Sequence, residues 1–484
     1  MMSRLLRAAL MPLCPLALLV LGLAACTGTG TEGVRITPAA EYKSERLSQA
    51  RQPVILIPGT LGSRLFNMDN GEIAWGNFSA TVSDLKDDLA LPIDHARIAD
   101  NVDRLRAYRV LDRAEILLNE GRGEVSFYAE IIDHLATTLG YRPAYGKRFY
   151  RGQDLFVFFY DWRRSNVEAA AQLADFIASI RHDLDAPDMK FTFVGVSNGG
   201  LIARYYLRYG ARDVVSDQAA GAPMVRSMTG LSDCSRLICL GTPQLGTLDA
   251  LNLIHDGYSP NLLARRYPPE TIFSMPAAFE LLPEPGQKVF VGRGGETLDI
   301  DLWDERAWET YGLSVFAQSE QDRLKNNIAL NADKGDDRRA IFETLMQQRR
   351  DYLRRVLAHA RRFRAAIEGP PEVPTDVMLG VRTPTLARVG LVQDGDEWQL
   401  LFRPRVPWGR YDPMAEAMFA AGDGIVTRRS GLGLPIAQSS ADLIAAGQTF
   451  RRAIRTVQFT PFEHRTMFED EVLRLALAEA LSEP

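Results

Sequence analysis

The chain has 484 residues, 46% of them hydrophobic, which is enough for a large soluble core with an inserted domain. Lysine and arginine together number 56 against 61 acidic residues, and the formal net charge of −5 argues against a nucleic-acid-binding protein. The sequence has no H-E-x-x-H motif, cysteine-pair cluster or calcium-loop pattern, so we expect no metal and no other cofactor.

The amino terminus is typical of a bacterial lipoprotein signal. Two arginines precede an apolar stretch at 8–20, which is short for a membrane-spanning helix and leads into Leu23-Ala24-Ala25-Cys26. We predict a signal peptide over 1–25 and lipidation of Cys26; a plain secretory signal and an uncleaved anchor are the alternatives. The expected location is outside the cytoplasm, either periplasmic or lipid-anchored to a bacterial membrane. Thr27 favours the outer membrane over the inner one.

Residues 26–52 are polar and rich in Thr, Gly, Ser and Glu, as a tether between a lipid anchor and a folded domain would be. The core is predicted to start with an apolar strand at 53–57, which runs into the turn Pro58-Gly59-Thr60-Leu61-Gly62. Such a turn can aim a backbone amide at a reacting carbonyl oxygen, so Thr60 is a candidate oxyanion donor. The alternative is an ordinary glycine loop.

A mixed insertion at about 67–123 and a helix at 127–139 follow, and strands then alternate with helices along the chain. Predicted strands cover 154–160, 190–194 and 236–240, and predicted helices cover 167–181 and 201–209. This alternation predicts an α/β fold with a mostly parallel central sheet and helices on both faces. The first part of the core domain is therefore expected to span 53–247.

The segment Gly195-Val196-Ser197-Asn198-Gly199-Gly200 lies between a predicted strand and a predicted helix. Glycines on both sides of a serine relieve the steric strain of a sharp bend, and such a bend exposes the hydroxyl for attack on a carbonyl carbon. We predict that Ser197 is a nucleophile and that the Asn198 amide is a second oxyanion donor. Because this pattern also arises by chance, an ordinary turn serine is the alternative.

A nucleophilic serine needs a histidine to take its proton and a carboxylate to orient that histidine. In α/β-hydrolases both follow the serine, the acid first. Asp423, in a Gly-Asp-Gly turn, and His464, after the β-like run 453–459, have this order. Of the six histidines, only His464 lies beyond Asp423. The alternatives are a plain turn aspartate and a histidine that caps or lines the last helix.

The strand-helix alternation stops after Thr247. We predict a largely helical cap over 248–374 and a return to the core domain over 375–484. Within the cap, 338–368 is predicted to be one long helix with a single apolar stripe. Its other face carries nine arginines against three acids. That face either contacts anionic phospholipid headgroups or is the solvated side of a helix that packs on the body.

Several separated motifs together resemble the lecithin:cholesterol acyltransferase family. In the family's order, they are Pro53-Val54-Ile55-Leu56-Ile57-Pro58-Gly59-Thr60-Leu61-Gly62-Ser63-Arg64-Leu65, Tyr160-Asp161-Trp162-Arg163, Ser197-Asn198-Gly199-Gly200, Gly241-Thr242-Pro243, Gly422-Asp423-Gly424-Ile425-Val426 and His464. The resemblance implies an α/β-hydrolase fold, a triad of Ser197, Asp423 and His464, and an oxyanion amide from Thr60. Val196 departs from the family, which usually has histidine there; this puts specificity in doubt rather than reaction type.

Three aromatic residues and two cysteines complete the candidates. In the family, the inserted segment includes a small membrane-contacting subdomain, and Trp75 with Phe78 could have that role here; local core packing is the alternative. Trp162 is expected either to line the floor of the site or to be buried in the core. Cys234 and Cys239 are expected to be free or buried thiols, since a bridge between them would need a tight reversal.

The expected activity is hydrolysis or transfer of acyl groups from a phospholipid or related ester through an acyl-enzyme. The expected partners are this lipid or acyl ester and a membrane surface, reached through lipidated Cys26 and through the cap. One alternative is an esterase that acts on small soluble esters or polyesters. Another is a non-catalytic surface lipoprotein that binds lipid or protein.

Overall fold

A computed structural model defines the fold over residues 51–76, 89–118, 121–259, 266–333, 335–404, 412–434 and 454–482. The predicted signal peptide, Cys26, nearly all of the tether and Phe78 lie outside these ranges, so what was inferred for them stays a prediction. No helix within these ranges is both long and apolar enough to cross a membrane.

Short strands are distributed along the whole described chain. They are β1 (Val54–Ile57), β2 (Ser63–Asn67), β3 (Ile73–Trp75), β4 (Leu105–Val110), β5 (Arg113–Leu118), β6 (Gly121–Ser126), β7 (Pro143–Tyr145), β8 (Leu155–Val157), β9 (Phe191–Val196), β10 (Cys234–Leu240), β11 (Phe290–Val291), β12 (Thr297–Leu298), β13 (Thr375–Gly380), β14 (Thr383–Leu386), β15 (Val389–Asp394), β16 (Glu397–Leu401), β17 (Phe419–Gly422) and β18 (Ile454–Thr460).

The helices are concentrated between the core strands and in the predicted cap. They are α1 (Ala129–Leu139), α2 (Asn166–Leu184), α3 (Asn198–Tyr209), α4 (Val214–Ala219), α5 (Leu248–Asp256), α6 (Pro269–Phe273), α7 (Pro276–Glu280), α8 (Glu305–Thr310), α9 (Gln318–Asn331), α10 (Arg338–Ala366), α11 (Pro413–Met418), α12 (Arg428–Leu432) and α13 (Glu471–Ser482).

Seven strands form the central sheet, in the order β18-β13-β10-β9-β1-β8-β7. Every neighbouring pair in it is parallel. At the centre, Leu56 of β1 is paired with Val194 of β9 on one side and with Val157 of β8 on the other. Parallel strands bring their carboxyl ends to one edge, so the residues that follow β1, β9, β10, β13 and β18 are close in space.

Both faces of this sheet are covered, which explains why its strands are continuous apolar runs. In β1, Ile55 and Ile57 pack into the cluster that contains helices α2 and α3, whereas Val54 and Leu56 pack into the cluster that contains α1 and α13. All six residues of β9 are buried. The predicted fold class is therefore confirmed: the core is an α/β-hydrolase fold.

The region between α5 and β13 is largely helical, as predicted for a cap. Its longest element is α10, of 29 residues, which begins at the N-cap Asp337. The stripe predicted from periodicity is its packing face, because Met346, Val356 and Phe363 are all buried. The ring of Phe363 stacks on that of Tyr205 in α3 at 5.8 Å, so the long helix rests directly on the core.

The arginine-rich face of α10 is largely occupied by contacts within the protein. Six of its nine arginines bond to protein groups: Arg349 to Glu270, Arg350 to Glu309, Arg354 to Glu305, Arg355 to the Ile93 carbonyl, Arg361 to the Trp303 carbonyl and Arg364 to the Gln244 carbonyl. The interpretation as a solvated face therefore fits only part of this surface, and contact with phospholipid headgroups stays a prediction.

Trp75 does not have the exposure that membrane contact requires. It is only 2% exposed, its ring packs edge-on against Trp162 at 5.2 Å, and its indole N–H donates to the Leu61 carbonyl at 3.0 Å. The proposed membrane role of Trp75 is therefore wrong, because this residue holds the inserted segment against the core. Cys234 and Cys239 are buried free thiols, and burial raises the pKa of both.

Candidate active site

Ser197 lies in a sharp bend between β9 and α3. Its backbone has φ +51° and ψ −121°, a strained conformation for a residue with a side chain. The flanking glycines make the bend possible: a Cβ on Gly195 would lie 2.6 Å from the Gly200 Cα, and one on Gly199 would clash with the Ile57 carbonyl oxygen. The bend leaves the Ser197 side chain half-buried at the carboxyl edge of the sheet.

The structure brings Ser197, His464 and Asp423 together. His464 Nε2 lies 3.0 Å from Ser197 Oγ, and His464 Nδ1 lies 2.8 Å from Asp423 Oδ2. Hydroxyl, imidazole and carboxylate thus form one continuous chain of hydrogen bonds. This is the arrangement that a proton relay to a serine nucleophile requires.

Asp423 is held rigidly behind the histidine. Its carboxylate is 1% exposed, and Oδ1 accepts hydrogen bonds from the amides of Ile425 at 3.0 Å and Val426 at 2.7 Å. The His464 amide donates to the Asp423 carbonyl at 2.8 Å, so the two loops are also joined through their backbones. Only Oδ2 faces the imidazole.

Close packing at Gly241 fixes the position of the imidazole ring. This glycine has φ +56°, and a Cβ on it would lie 3.1 Å from both Cε1 and Nδ1 of His464. His464 itself follows β18 and starts a short 3₁₀ helix, His464–Glu469. The Gly-Thr-Pro motif therefore contributes a side of the pocket that holds the histidine.

The turn after β1 lies directly against the serine. A Cβ on Gly59 would be 2.9 Å from the Ser197 Cβ, so only glycine permits this approach. The Gly59 amide donates to the Tyr128 hydroxyl at 2.7 Å and is therefore already engaged. Within the described residues, the structure gives neither the Thr60 nor the Asn198 amide a hydrogen-bond acceptor. Their role as oxyanion donors stays a prediction.

The side chain of Asn198 is part of a buried network that the sequence did not indicate. Asn198 and Asn166 exchange two amide hydrogen bonds, at 2.6 and 2.9 Å, and Asn198 Nδ2 also donates to the Tyr160 hydroxyl at 3.2 Å. The Tyr160 hydroxyl in turn donates to the Pro58 carbonyl at 3.0 Å. Burial raises the pKa of Tyr160, which keeps this donor protonated. The network fixes both segments that carry the candidate oxyanion amides.

A second buried cluster joins this network to the cap. The backbone amide of Asn166 donates to Glu280 Oε2 at 2.8 Å. The other carboxylate oxygen, Glu280 Oε1, contacts Ser165 Oγ and lies 2.8 Å from His359 Nε2. Glu280 is in α7 and His359 in α10, and both side chains are buried. The partners in these contacts are 79 to 194 positions apart along the chain, so no spacing or motif could have associated them.

The Tyr-Asp-Trp-Arg motif forms hydrogen bonds with Ser63, the residue that follows the turn after β1. The Tyr160 amide donates to Ser63 Oγ at 3.2 Å, and the Trp162 indole donates to the Ser63 carbonyl at 3.0 Å. Trp162 is 2% exposed, so it is a core residue. The fully buried Arg163 bonds to two carboxylates, Asp161 and Asp103.

Removing the charge of Arg163 should destabilise the whole fold. In Arg163→Met the carboxylates of Asp161 and Asp103, 7% and 17% exposed, would lose their shared partner. We expect a loss of roughly 3–5 kcal/mol in the free energy of unfolding. Denaturant melts would measure it, with Arg306→Met as the control, since Arg306 and its partner Asp304 are exposed and an exposed ion pair contributes little to stability. Equal stability of the two variants would contradict this account of the motif.

A cavity of about 760 Å³ opens beside the histidine. Its lining is mixed and includes Asp249, Leu386, Phe402, Phe419, His464 and Arg465. Apolar side chains can contact an acyl chain, while the charged groups can contact a polar headgroup. The cavity is therefore the candidate binding site for a substrate that reacts at Ser197.

Asp249 gives this cavity a testable pH dependence. Burial raises the pKa of Asp249, and the nearby Arg465 opposes part of that shift. A folded-state pKa above the unfolded value means that stability is complete at low pH and is lost as the pH rises through the folded pKa. We expect Asp249→Asn to melt at a higher temperature than the wild type at pH 8 but not at pH 3, where the carboxyl is protonated in both the folded and the unfolded chain. A difference that does not change with pH would argue against the shift.

The comparisons with known proteins bear on the family and on the fold. The profile of the lecithin:cholesterol acyltransferase family matches residues 91–368, a segment that contains Ser197 and ends before Asp423 and His464. Among solved structures, a chain of the Tle4–Tli4 complex superposes with a TM-score of 0.50 at 14% identity, covering 90% of this chain and 98% of that chain. This likeness shows the fold alone. Comparison with curated proteins gives no significant match. Because the family profile spans more than half of the sequence, the chain belongs to the lecithin:cholesterol acyltransferase family.

Proposed function

We propose that the protein is a serine-dependent hydrolase or O-acyltransferase of lipid acyl esters, with Ser197 as its nucleophile. Family membership supports the lipid substrate class. The observation that carries the proposal is the position of His464, whose ring nitrogens lie 3.0 Å from Ser197 Oγ and 2.8 Å from Asp423 Oδ2. Acyl transfer uses such a set of groups at one sheet edge: the buried carboxylate orients the histidine, and the histidine takes the proton of the strained serine.

In the first half-reaction, Ser197 Oγ attacks the ester carbonyl carbon while His464 Nε2 accepts the hydroxyl proton. Asp423 keeps the other ring proton on Nδ1, so that Nε2 can act as the base, and it stabilises the imidazolium that forms. The amides of Thr60 and Asn198 bind the negative charge that develops on the carbonyl oxygen. The imidazolium then protonates the leaving alcohol, and the acyl group remains on Ser197.

In the second half-reaction, an acceptor hydroxyl attacks the acyl-enzyme. His464 Nε2 takes the proton from the acceptor and returns it to Ser197 Oγ when the acyl bond to the serine breaks. Water as the acceptor releases a carboxylic acid, whereas an alcohol yields a new ester. The acceptor alone therefore distinguishes a hydrolase from an acyltransferase.

The protein would act at a membrane surface outside the cytoplasm, held there by lipid chains on Cys26. The support for this is the apolar stretch at 8–20, followed by Leu23-Ala24-Ala25-Cys26 and a polar tether. Mass spectrometry of the amino-terminal peptide tests it. A peptide that starts at unmodified Cys26, or before it, would contradict the anchor.

Product analysis on a defined lipid tests the activity. Purified protein is incubated with phosphatidylcholine vesicles, with and without dodecanol, and the products are identified by mass spectrometry. Free fatty acid indicates hydrolysis, and dodecyl ester indicates acyl transfer. The Ser197→Ala variant should give neither above background. Turnover of a short nitrophenyl ester without any release from vesicles would instead favour the esterase alternative.

A further inference from the structure

A second cavity, of about 520 Å³, lies apart from the triad. It is enclosed by α3, the loop after β10, the carboxyl end of α10 and α12. It shares no lining residue with the cavity beside His464. Its size is within the range of roughly 300–1,000 Å³ that is typical of small-molecule sites. Nothing in the proposed reaction uses it.

Two buried guanidinium groups face this cavity. Arg204 of α3 and Arg364 of α10 are only 3% and 6% exposed. Both are held by Gln244: Arg204 Nη1 donates to its side-chain oxygen, and Arg364 Nη2 donates to its carbonyl at 2.6 Å. The two positive groups are therefore fixed next to each other by one residue of the loop after β10.

Both arginines retain unused hydrogen-bond donors. Arg204 Nε, Arg364 Nε and Arg364 Nη1 are buried and have no partner among the described residues. Buried polar groups in proteins are nearly always satisfied, and an exception indicates a missing water or ligand. Three unsatisfied donors on two adjacent cations indicate a missing acceptor with more than one oxygen atom, since guanidinium groups bind such acceptors in a forked geometry.

The positive charge is also uncompensated. Within the described ranges, neither Arg204 nor Arg364 has a carboxylate within ion-pair distance. Glu284, which lines the cavity, pairs with Arg429 at 3.1 Å, and Glu372 pairs with Arg208 at 2.7 Å. Glu368 also lines the cavity, but within the described ranges it forms no ion pair with either arginine. Burial lowers the pKa of both Arg204 and Arg364. A buried charge that lacks a counter-ion destabilises a protein unless an anion binds beside it.

Besides the two arginines, the lining includes the polar or charged side chains of Gln244, Glu284, Arg361 and Glu368, and the remainder is largely apolar. Leu245, Ile367, Pro370, Val377, Leu432 and Ile454 all border the cavity. A free inorganic anion would bind to the guanidinium groups and leave this surface uncovered. A ligand with an apolar portion would cover it and gain its burial as well.

We propose that this cavity is a binding site, separate from the triad, for an amphiphilic anion. The headgroup is a carboxylate or phosphate that accepts hydrogen bonds from Arg204 and Arg364, and a short apolar chain contacts Ile367 and Leu432. Fatty acids and phosphate monoesters share this chemistry, and the experiment separates them. The inference does not depend on Ser197 being the nucleophile.

Calorimetry and thermal melts with defined probes test the site. Decanoate and decyl phosphate are titrated into the full-length protein, with decanol as the uncharged probe and inorganic phosphate as the probe without a chain. We expect at least one amphiphilic anion to bind and to raise the melting temperature, as any ligand specific for the folded state does. Decanol and inorganic phosphate should bind at least tenfold more weakly. Binding of inorganic phosphate as tight as that of decyl phosphate, or of no probe at all, overturns the proposal.

The Arg364→Met variant tests whether Arg364 binds a ligand or only stabilises the fold. The change replaces an unpaired buried charge by an apolar side chain, so the unliganded variant should melt at or above the wild-type temperature. Its affinity for the anion should fall at least tenfold. A purely structural arginine would give the opposite result, a lower melting temperature with unchanged binding. Arg354→Met, on the same helix but 60% exposed, is the matched control and should bind like the wild type.

Two more variants keep the test decisive if Arg364→Met folds poorly. Ala365→Phe places a large side chain at the cavity wall without removing either arginine, and it should abolish binding. Ser197→Ala should bind the anion like the wild type, because Ser197 does not line this cavity. Binding that survives Ala365→Phe would place the ligand outside this cavity and refute the second site.

Discussion

Replacing Ser197 by alanine should lower kcat for ester cleavage by about 10⁵-fold to 10⁶-fold. The proposed mechanism passes the acyl group through Ser197 Oγ, so without that atom only weak catalysis by the remaining donors can persist. The fold should be unaffected, because alanine keeps the backbone at φ +51° with a similar strain. Initial rates on a nitrophenyl ester and on phospholipid vesicles, with a thermal melt of each variant, measure both effects.

Substitutions at Ser179 and His464 are the controls for Ser197→Ala. Ser179→Ala, on the exposed surface of α2, should have wild-type rates, since its hydroxyl bonds only to the Asp175 carbonyl. His464→Ala should reduce kcat to a similar extent, and the Ser197→Ala/His464→Ala double variant should be no slower than either single one, because residues that act as a unit are not additive. Additive losses would mean that the two groups do not belong to one relay.

Asp423→Asn should cost about 10⁴-fold in kcat while preserving the local geometry. The asparagine oxygen is expected to remain at the Oδ1 position, because the amides of Ile425 and Val426 donate to it at 3.0 and 2.7 Å. The NH₂ group then faces His464 Nδ1 and donates to it. This forces the ring proton onto Nε2, where the histidine can no longer accept the proton of Ser197.

The pH dependence of the remaining activity distinguishes a tautomer effect from a local unfolding. If the histidine is held in the wrong tautomer, hydroxide can partly replace it as the base, and the rate of Asp423→Asn should continue to rise at alkaline pH while its melt stays close to that of the wild type. Asp337→Asn is the control, since it replaces one good N-cap by another at the start of α10. A variant that is inactive at all pH values and melts early would show that Asp423 acts mainly through the fold.

Much of the core could be predicted because each strand is buried on both faces and therefore appears as an uninterrupted apolar run. The strand predicted at 190–194 is observed at Phe191–Val196, and the run at 236–240 is observed at Cys234–Leu240. The strand predicted at 154–160 is only Leu155–Val157. Beyond the strand, the backbone amide of Tyr160 donates to the side chain of Ser63. Side-chain bonds of this kind leave no periodic signal.

The predictable parts of the site are those where only one residue type fits the backbone. Gly59, Gly195 and Gly199 are required by contacts shorter than a Cβ allows, so they form motifs that a single sequence reveals. The Asn166–Asn198 pair depends on how α2 packs against α3, and the contact between Glu280 and His359 depends on how α7 packs against α10. Only tertiary structure determines such partners.

Trp75 is a residue for which the sequence left two interpretations open. A tryptophan in an inserted segment fits both a membrane surface and a local core, and composition does not separate the two. The family resemblance raised membrane contact as one possibility, and the alternative of local core packing is confirmed for Trp75, which is buried and donates its indole N–H to the Leu61 carbonyl at 3.0 Å. A resemblance transfers roles safely only where the residue belongs to a matched motif.

Covalent labelling with a fluorophosphonate probe tests the nucleophile most directly. The account predicts a single adduct on the peptide that contains Ser197, formed at least 100-fold more slowly in His464→Ala. Labelling of the Ser197→Ala variant at the wild-type rate, or an adduct on a different serine, would contradict it.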